Sequence, residues 1–178
     1  NPPGYQLNLN VSSDSRKSFE AGLYGFTYQS DWQRDWQVGV DLTWRPVANV
    51  SVSVGPSYDH DREYAQWVTS ADDPTATSTF GRRYVFANLD QQTLSANIRL
   101  NWTFSPRLSL QLFLQPLISS GDYAQYKELA RSRSFDFRVY GTGSSTLAET
   151  KSTDGSVSYS ADPDGNGPAP RIKFNNPD

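Results

Sequence analysis

One hairpin pattern occurs twice in this chain, and it limits the folds that the chain can adopt. In residues 38–54 an alternating strand ends at Trp44, turns within a few residues around a proline, and returns as a second alternating strand. Residues 96–114 repeat this pattern with Trp102 in the equivalent place. Because successive side chains of a strand point to opposite faces, each strand separates an apolar face from a small, polar one. The pattern predicts antiparallel β-structure.

The two faces of these strands have the composition expected of a transmembrane β-barrel. Such a barrel needs an apolar exterior, a polar interior and aromatic residues at the strand ends. The polar face is rich in Ser, Thr, Asn, Gln and Gly, whereas the surface of a soluble protein would favour Lys and Glu. The candidates for lining the lumen are Asp41, Thr43, Asn97, Arg99, Asn101 and Gln111, and the aromatic residues expected at the membrane interface are Trp36, Trp44, Trp102 and Phe104.

The composition agrees with a barrel and argues against several other classes of protein. Aromatic residues make up 13% of the 178 residues, which suits the aromatic girdles of a barrel. The chain contains no Cys, which excludes a disulfide framework and a Cys nucleophile. Its net charge of −3 gives no general attraction to nucleic acid. The mean hydropathy of −0.65 is too polar for a helical membrane protein.

The spacing of the patterns predicts part of an up-and-down barrel with about eight to ten antiparallel strands in residues 1–178. Short turns after Trp44 and Trp102 are typical of the periplasmic side, and long outer loops are expected near 59–92 and 115–135. Residues 123–130 are expected to form one or two helical turns. The chain starts without Met and ends without an alternating strand. We therefore expect an incomplete barrel region from a longer protein.

The chain resembles DUF5916, a bacterial family of unknown function, and the resemblance is sharpest over residues 94–178. The segments that carry the resemblance are Leu108–Tyr123, Tyr126–Arg131, Ser134–Gly141, Asp162–Pro170 and Phe174–Asp178. The resemblance implies the C-terminal outer-membrane β-barrel of an envelope protein whose N-terminal domain is similar to family 9 carbohydrate-binding modules. That module is not in this chain, so carbohydrate binding transfers to none of its residues. The resemblance supplies no catalytic motif.

Asp162, Asp164 and Asn166 form a candidate metal site. Oxygen ligands at alternate positions beside a glycine suit Ca²⁺. The segment lacks the closing Glu of a complete calcium loop, and Pro168 follows at once. We expect a turn held by its own hydrogen bonds, with calcium as the alternative. No other cofactor is expected.

A candidate for acid–base chemistry lies around His60. This residue stands between Asp59 and Asp61, and we expect it to be a solvated loop residue rather than a base or a metal ligand. A glycosidase would need two carboxylates at a set separation. The pattern instead places Asp59, Asp61 and Glu63 in a loop and pairs none of them. The chain is not expected to be an enzyme.

Basic residues cluster within and just after the second long segment, together with two arginines of the first. The members of this basic cluster are Arg82, Arg83, Lys127, Arg131, Arg133 and Arg138. One interpretation is that these side chains bind lipopolysaccharide phosphates, because the guanidinium fork suits phosphate. The preferred interpretation is pairing with Asp122, Glu128 and Asp136, because residues of both signs are interspersed.

Together these features predict a segment of a bacterial outer-membrane β-barrel. It would act as the membrane anchor or pore of a larger envelope protein, one option being a protein that handles carbohydrate. The expected partner is outer-membrane lipid, with lipopolysaccharide or carbohydrate as further candidates and no nucleic acid. The alternative is a soluble all-β module that binds a ligand or carbohydrate, with the apolar faces turned into a core. Periodicity alone does not decide which face is inside.

Overall fold

The computed structural model describes residues 3–175 and shows an all-β fold. The eleven strands found there are β1 (Gly4–Ser12), β2 (Phe19–Ser30), β3 (Gln33–Val47), β4 (Val50–Asp72), β5 (Arg82–Ser105), β6 (Leu108–Leu114), β7 (Leu117–Leu129), β8 (Phe137–Val139), β9 (Thr146–Lys151), β10 (Val157–Asp162) and β11 (Ile172–Asn175). A 3₁₀ turn covers Thr77–Thr79. No helix in the described part of the chain is long and apolar enough to cross a membrane.

Eight of the strands form one sheet and the last three form another. The order of the larger sheet is β1-β2-β3-β4-β5-β7-β8, with β6 also paired to β5, and the smaller sheet has the order β11-β10-β9. The pairings from β1 to β4, and those of β6 with β5 and β8 with β7, are antiparallel. The predicted antiparallel all-β class is confirmed. Within residues 3–175 the order is open, from β1 to β8.

Both predicted hairpins are present, and their turns are short. β3 and β4 are joined by residues 48–49, and β5 and β6 by residues 106–107. Trp44 lies opposite Val52 in the first hairpin, and Trp102 lies opposite Leu110 in the second. Each hairpin has a register shift near its turn. The two hairpins therefore repeat in structure as they do in sequence.

The segments expected to be long outer loops contain more strand than loop. β4 continues to Asp72 and β5 begins at Arg82, so residues 73–81 form the connection. The helical turns expected over 123–130 are wrong, because β7 extends to Leu129 and pairs there with β8. The helix preference of Ala, Lys, Glu and Leu is worth only a small free energy per residue. The pairing of β7 with β8 and the burial of Tyr126 outweigh it. Residues 176–178, which carry part of the family resemblance, lie outside the described residues.

The chain divides into two compact units. Unit 1 comprises residues 1–63 and 90–122, and unit 2 comprises residues 64–89 and 123–178. Among the described residues, the buried hydrophobic side chains all belong to unit 2. The members of this core are Val85, Ala87, Tyr126, Tyr140, Ala161, Ile172 and Phe174. The ring of Tyr126 contacts those of Tyr159 and Phe174 at centroid distances of 4.5 and 5.1 Å.

An ion network stabilises the polar part of this core. Arg83 Nε lies 2.5 Å from Asp73 Oδ2, and Arg83 Nη1 lies 2.7 and 2.6 Å from the two carboxylate oxygens of Glu128. The Tyr140 hydroxyl donates to Glu128 at 3.1 Å. The side chains of Asp73 and Glu128 are only 0% and 4% exposed. Arg83 is therefore the close cation of both buried carboxylates.

Hydrogen bonding sets the protonation of this network. Burial opposes ionisation of Asp73, but hydrogen bonds from Thr75 and Arg83 outweigh burial and hold the pKa of Asp73 below its usual value. Burial, together with the nearby Glu128 carboxylate, raises the pKa of the Tyr140 hydroxyl far above its usual value. Tyr140 therefore stays protonated and remains a donor to Glu128.

We predict that Arg83→Met destabilises unit 2 by about 3–5 kcal/mol, because it leaves two buried carboxylates without their cation. The measurement is denaturant titration with hydrogen exchange read over residues 123–140. The matched control is Arg82→Met, because Arg82 is 51% exposed and pairs at 3.7 Å with the exposed Asp72. Its effect should stay within about 0.5 kcal/mol. Equal effects of the two substitutions would contradict the prediction.

Candidate functional site

The pairing of β1–β6 in unit 1 builds one continuous surface, here called the apolar face. It consists of alternate residues of each strand: Leu7, Leu9, Val11, Leu23, Trp36, Val38, Val40, Leu42, Trp44, Val52, Val54, Leu94, Ile98, Leu100, Trp102, Leu110, Leu112 and Leu114. These residues meet in register, as with Leu42 opposite Val54 and Leu100 opposite Leu112. Their exposure reaches 65% at Leu7 and 52% at Trp44. The apolar face has no core packed against it within the described residues.

The opposite surface of unit 1, here called the polar face, is the more enclosed of the two in the middle of β3 and β4. Gly39, Gly55 and Ser57 are buried, whereas their apolar-face neighbours Val38 and Val54 are exposed. The Ser57 and Ser95 hydroxyls are 2.8 Å apart, which links the polar faces of β4 and β5. In the middle of β3 and β4 the polar face is therefore less accessible than the apolar face.

Aromatic residues lie at both ends of the apolar face. At the turn end, the rings of Trp102 and Phe104 stack at 4.3 Å, and Trp44 lies opposite Phe19. At the other end, the Trp36 ring lies 5.2 Å from that of Tyr58. At about 3.3 Å per residue, Trp36 and Trp44 are about 26 Å apart along β3. Aromatic residues therefore bound the apolar face at both ends along the strand direction.

The expectation that His60 is a solvated loop residue is wrong. It lies on β4 opposite Trp36, and its ring centroid is 5.9 Å from that of Trp36. His60 Nε2 is 2.7 Å from Asp90 Oδ1, while Arg62 Nε donates to the other oxygen of Asp90 at 2.6 Å. The strand continues here because residues 59–63 stay paired with residues 33–37 of β3, although the alternation of apolar and polar residues has ended.

The carboxylates beside His60 also lie on a strand rather than in a loop. Asp59, Asp61 and Glu63 belong to β4 and share the polar face. Asp61 lies directly opposite Asp35 of β3. The loop prediction for these three residues is therefore wrong, because β4 extends through them to Asp72.

The structure places the six lumen-lining candidates together on the polar face. Thr43 Oγ1 lies 3.0 Å from Ser53 Oγ, and Asn101 is paired with Gln111. The Arg99 guanidinium lies 4.7 Å from the ring centroid of Phe113. Asp41 and Asn97 both approach the position that a side chain would take at Gly55.

A glycine on the polar face makes room for an aromatic side chain that the sequence patterns did not single out. Tyr24 lies opposite Gly39, and a Cβ atom added at Gly39 would overlap atoms of the Tyr24 ring. Gly25 of β2 is different, because a Cβ there would meet only ordinary contacts, at 3.7 Å or more. The Tyr24 ring thus occupies the space that a side chain at position 39 would need.

We predict that Gly39→Ala destabilises unit 1 by about 1–3 kcal/mol, because the new methyl group displaces the Tyr24 ring. Gly25→Ala is the matched control, with little effect expected. The measurement is the fraction of protein that keeps its folded gel mobility across a denaturant series. A loss of stability in Gly25→Ala as large as that in Gly39→Ala would refute the steric explanation.

The candidate calcium residues form a hydrogen-bonded turn. Asp162 Oδ1 accepts from Gly165 N at 2.8 Å, and Asp162 Oδ2 accepts from Arg171 Nε at 3.2 Å. Asp164 accepts from two further backbone N–H groups, those of Gly167 and Ala169. The Gly165 N–H is the main cause that lowers the pKa of Asp162. The carboxylate oxygens of Asp162 and Asp164 therefore already accept hydrogen bonds from nearby groups, as in a hydrogen-bonded turn.

Within residues 3–175, no group of three or more His, Cys, Asp or Glu side chains is arranged to hold a metal ion. The calcium candidates are two Asp and one Asn, so calcium at Asp162, Asp164 and Asn166 stays a prediction.

Part of the basic cluster makes the expected ion pairs, whereas Asp122, Arg133 and Lys127 make none within the described residues. Arg131 Nη2 lies 2.5 Å from Asp136, and Arg138 Nη1 lies 4.0 Å from Glu128. Lys127 is buried and donates to Asn88 at 2.6 Å. The sequence could not show that Arg83 is the central member, because its partners come from separate segments.

Comparison with known proteins adds a family but no function. The model of a domain of unknown function, DUF5916, matches residues 1–154. The loop at 162–170 lies beyond that match. No curated protein and no solved structure matches the chain. The match covers most of the chain, which therefore belongs to the DUF5916 family.

Proposed function

We propose that this chain is a segment of a bacterial outer-membrane β-barrel, which serves as the membrane anchor or pore of a larger envelope protein. The observation that carries the proposal is the apolar face of unit 1, which runs over six strands and leaves most of its side chains exposed. The role is structural, and we assign no catalytic residue. The lipid of the outer membrane is the proposed partner.

The physical argument is the cost of leaving such a face in water. Burying one Leu, Val or Phe side chain contributes about 1.5–3 kcal/mol, and the apolar face carries many such side chains. Soluble monomers rarely expose an apolar patch of this extent. Lipid would cover the face, and in a closed barrel strand pairing would satisfy the backbone groups that lipid cannot.

The soluble module remains the second candidate, favoured by the open strand order within the described residues. A further domain packed on the apolar face would turn that surface into a core. Outer-membrane fractionation and heat-modifiable gel migration separate the two candidates for the full-length protein. A more specific test determines whether lipid, water or protein contacts each face of the sheet.

We predict that probes on alternate residues of one strand differ in their contact with lipid. Because the chain has no Cys, single-cysteine variants carry one label each. An NBD label at Leu42→Cys or Leu100→Cys should be quenched by nitroxide lipids in reconstituted vesicles. The same label at the neighbours Asp41→Cys and Asn101→Cys should not be.

Two results would overturn this assignment. Labels at Leu42 and Leu100 that escape both lipid quenchers and aqueous iodide would indicate a dry core, as in the soluble module. Lipid quenching of the labels at Asp41 and Asn101 would show that the polar face, rather than the apolar face, contacts lipid. Gel migration of each labelled variant, boiled and unboiled, checks that the protein is folded.

The polar face gives a prediction that separates a pore from an anchor. If it lines an open lumen, Arg99→Glu should raise the preference for cations over anions in planar bilayers, because a charge in a pore wall changes which ions enter. Arg107→Glu in the β5–β6 turn is the control and should change the preference less. If the reconstituted protein inserts but never conducts ions, the pore role is refuted and only the anchor role remains.

A further inference from the structure

Two arginines lie directly opposite each other at the end of the apolar face marked by Trp36. Arg34 of β3 pairs in register with Arg62 of β4, and the rung formed by Trp36 and His60 is next on the same face. Like charges placed directly opposite each other destabilise a strand pair. A bound anion between the two guanidinium groups would remove that repulsion.

The contacts of the two arginines leave capacity for an anion. Arg62 uses Nε to bind Asp90 at 2.6 Å, yet its side chain is 51% exposed. Arg34 is exposed, and its side chain makes no hydrogen bond or ion pair within the described residues. Its β2 neighbour Gln29 accepts from the Tyr5 hydroxyl. Of the two arginines, Arg34 is therefore the one whose whole guanidinium group can bind an anion.

At this end of the sheet, the two arginines lie on the apolar face and a pair of carboxylates lies on the polar face. The rung beside the arginines places Asp35 opposite Asp61 on the polar face. Asp35 Oδ1 is buried without a hydrogen-bond partner. On the apolar side, Asp90 occupies one edge of Arg62 and also binds His60. An anion that approaches along the apolar face therefore meets Arg34 and the outer edge of Arg62.

We propose that Arg34 and Arg62 bind the phosphate of a membrane lipid headgroup. The inference rests on the proposed function and adds a ligand class at one end of the apolar face. The occupant is a lipid because the pair continues a surface of Val, Leu and Trp that would hold acyl chains. Trp36 and Tyr58 beside it are the residue types that lie at headgroup level. The planar guanidinium fork matches phosphate oxygens.

The test is lipid binding by the full-length protein in detergent, counted by native mass spectrometry. The probe is diphosphoryl lipid A, and the reference is the same lipid without its phosphates. Arg34→Gln/Arg62→Gln should weaken binding of the phosphorylated lipid about thirtyfold, the size expected for two basic groups at an anionic lipid surface. Asp90→Asn should tighten binding, because it removes the competing carboxylate.

The matched control is Arg16→Gln/Arg107→Gln, which removes the same charge from the turns at the other end of the strands. It should leave binding within about threefold, because exposed charges that far away are screened. Equal weakening by both double variants would overturn the proposal in favour of general electrostatics. Displacement of the lipid by millimolar inorganic phosphate would also overturn it, since a lipid site needs the acyl chains.

The experiment separates failure of this proposal from failure of the barrel assignment. Heat-modifiable migration of every variant shows whether the barrel is folded in detergent. A folded wild-type protein that prefers the dephosphorylated lipid, or has no preference, refutes the phosphate site and leaves the barrel intact. A wild-type protein that needs no detergent and binds neither lipid refutes both.

Discussion

Strand register is the constraint on which the rest of this structure depends. A slip of one residue would exchange the two faces of a strand and mix its apolar and polar side chains. The short turns at residues 48–49 and 106–107 fix the register of two hairpins, and Trp44 and Trp102 mark equivalent positions beside them. The continuity of the apolar face, the placement of the six polar candidates and the pairing of Arg34 with Arg62 all follow from that alignment.

The parts of the fold that could be predicted are those in which neighbouring residues suffice. Alternation around Trp44 and Trp102 located the strands and assigned each side chain to a face, because the period of two is local. Alternation failed beyond Tyr58, where His60 and Arg62 are polar residues on the apolar side and the pattern stops. It also failed over residues 123–130, where pairing with β8 decides the conformation.

The contacts of the candidate sites required information that spacing does not hold. His60 meets Asp90 from another strand, and Arg83 joins Asp73 to Glu128 across separate segments. Sequence composition indicated that basic and acidic side chains would pair, but it could not say which carboxylate is buried. The membership of residues 1–154 in a family without a known function leaves the apolar face as the main support for a membrane role.

The order of the first five strands has a consequence for how the chain folds. Each of β1 to β5 is paired with its neighbour in sequence, so every added strand closes a loop between adjacent segments. The entropy lost in closing a loop grows with its length, which makes such stepwise zipping fast for a β-protein. β6 and β7 follow the same rule, because Ala96 N donates to Pro116 O at 3.0 Å and β7 continues the pairing of β6 along β5. We therefore expect the hairpin that begins at residues 106–107 to extend directly through β7, with no separate long loop to close.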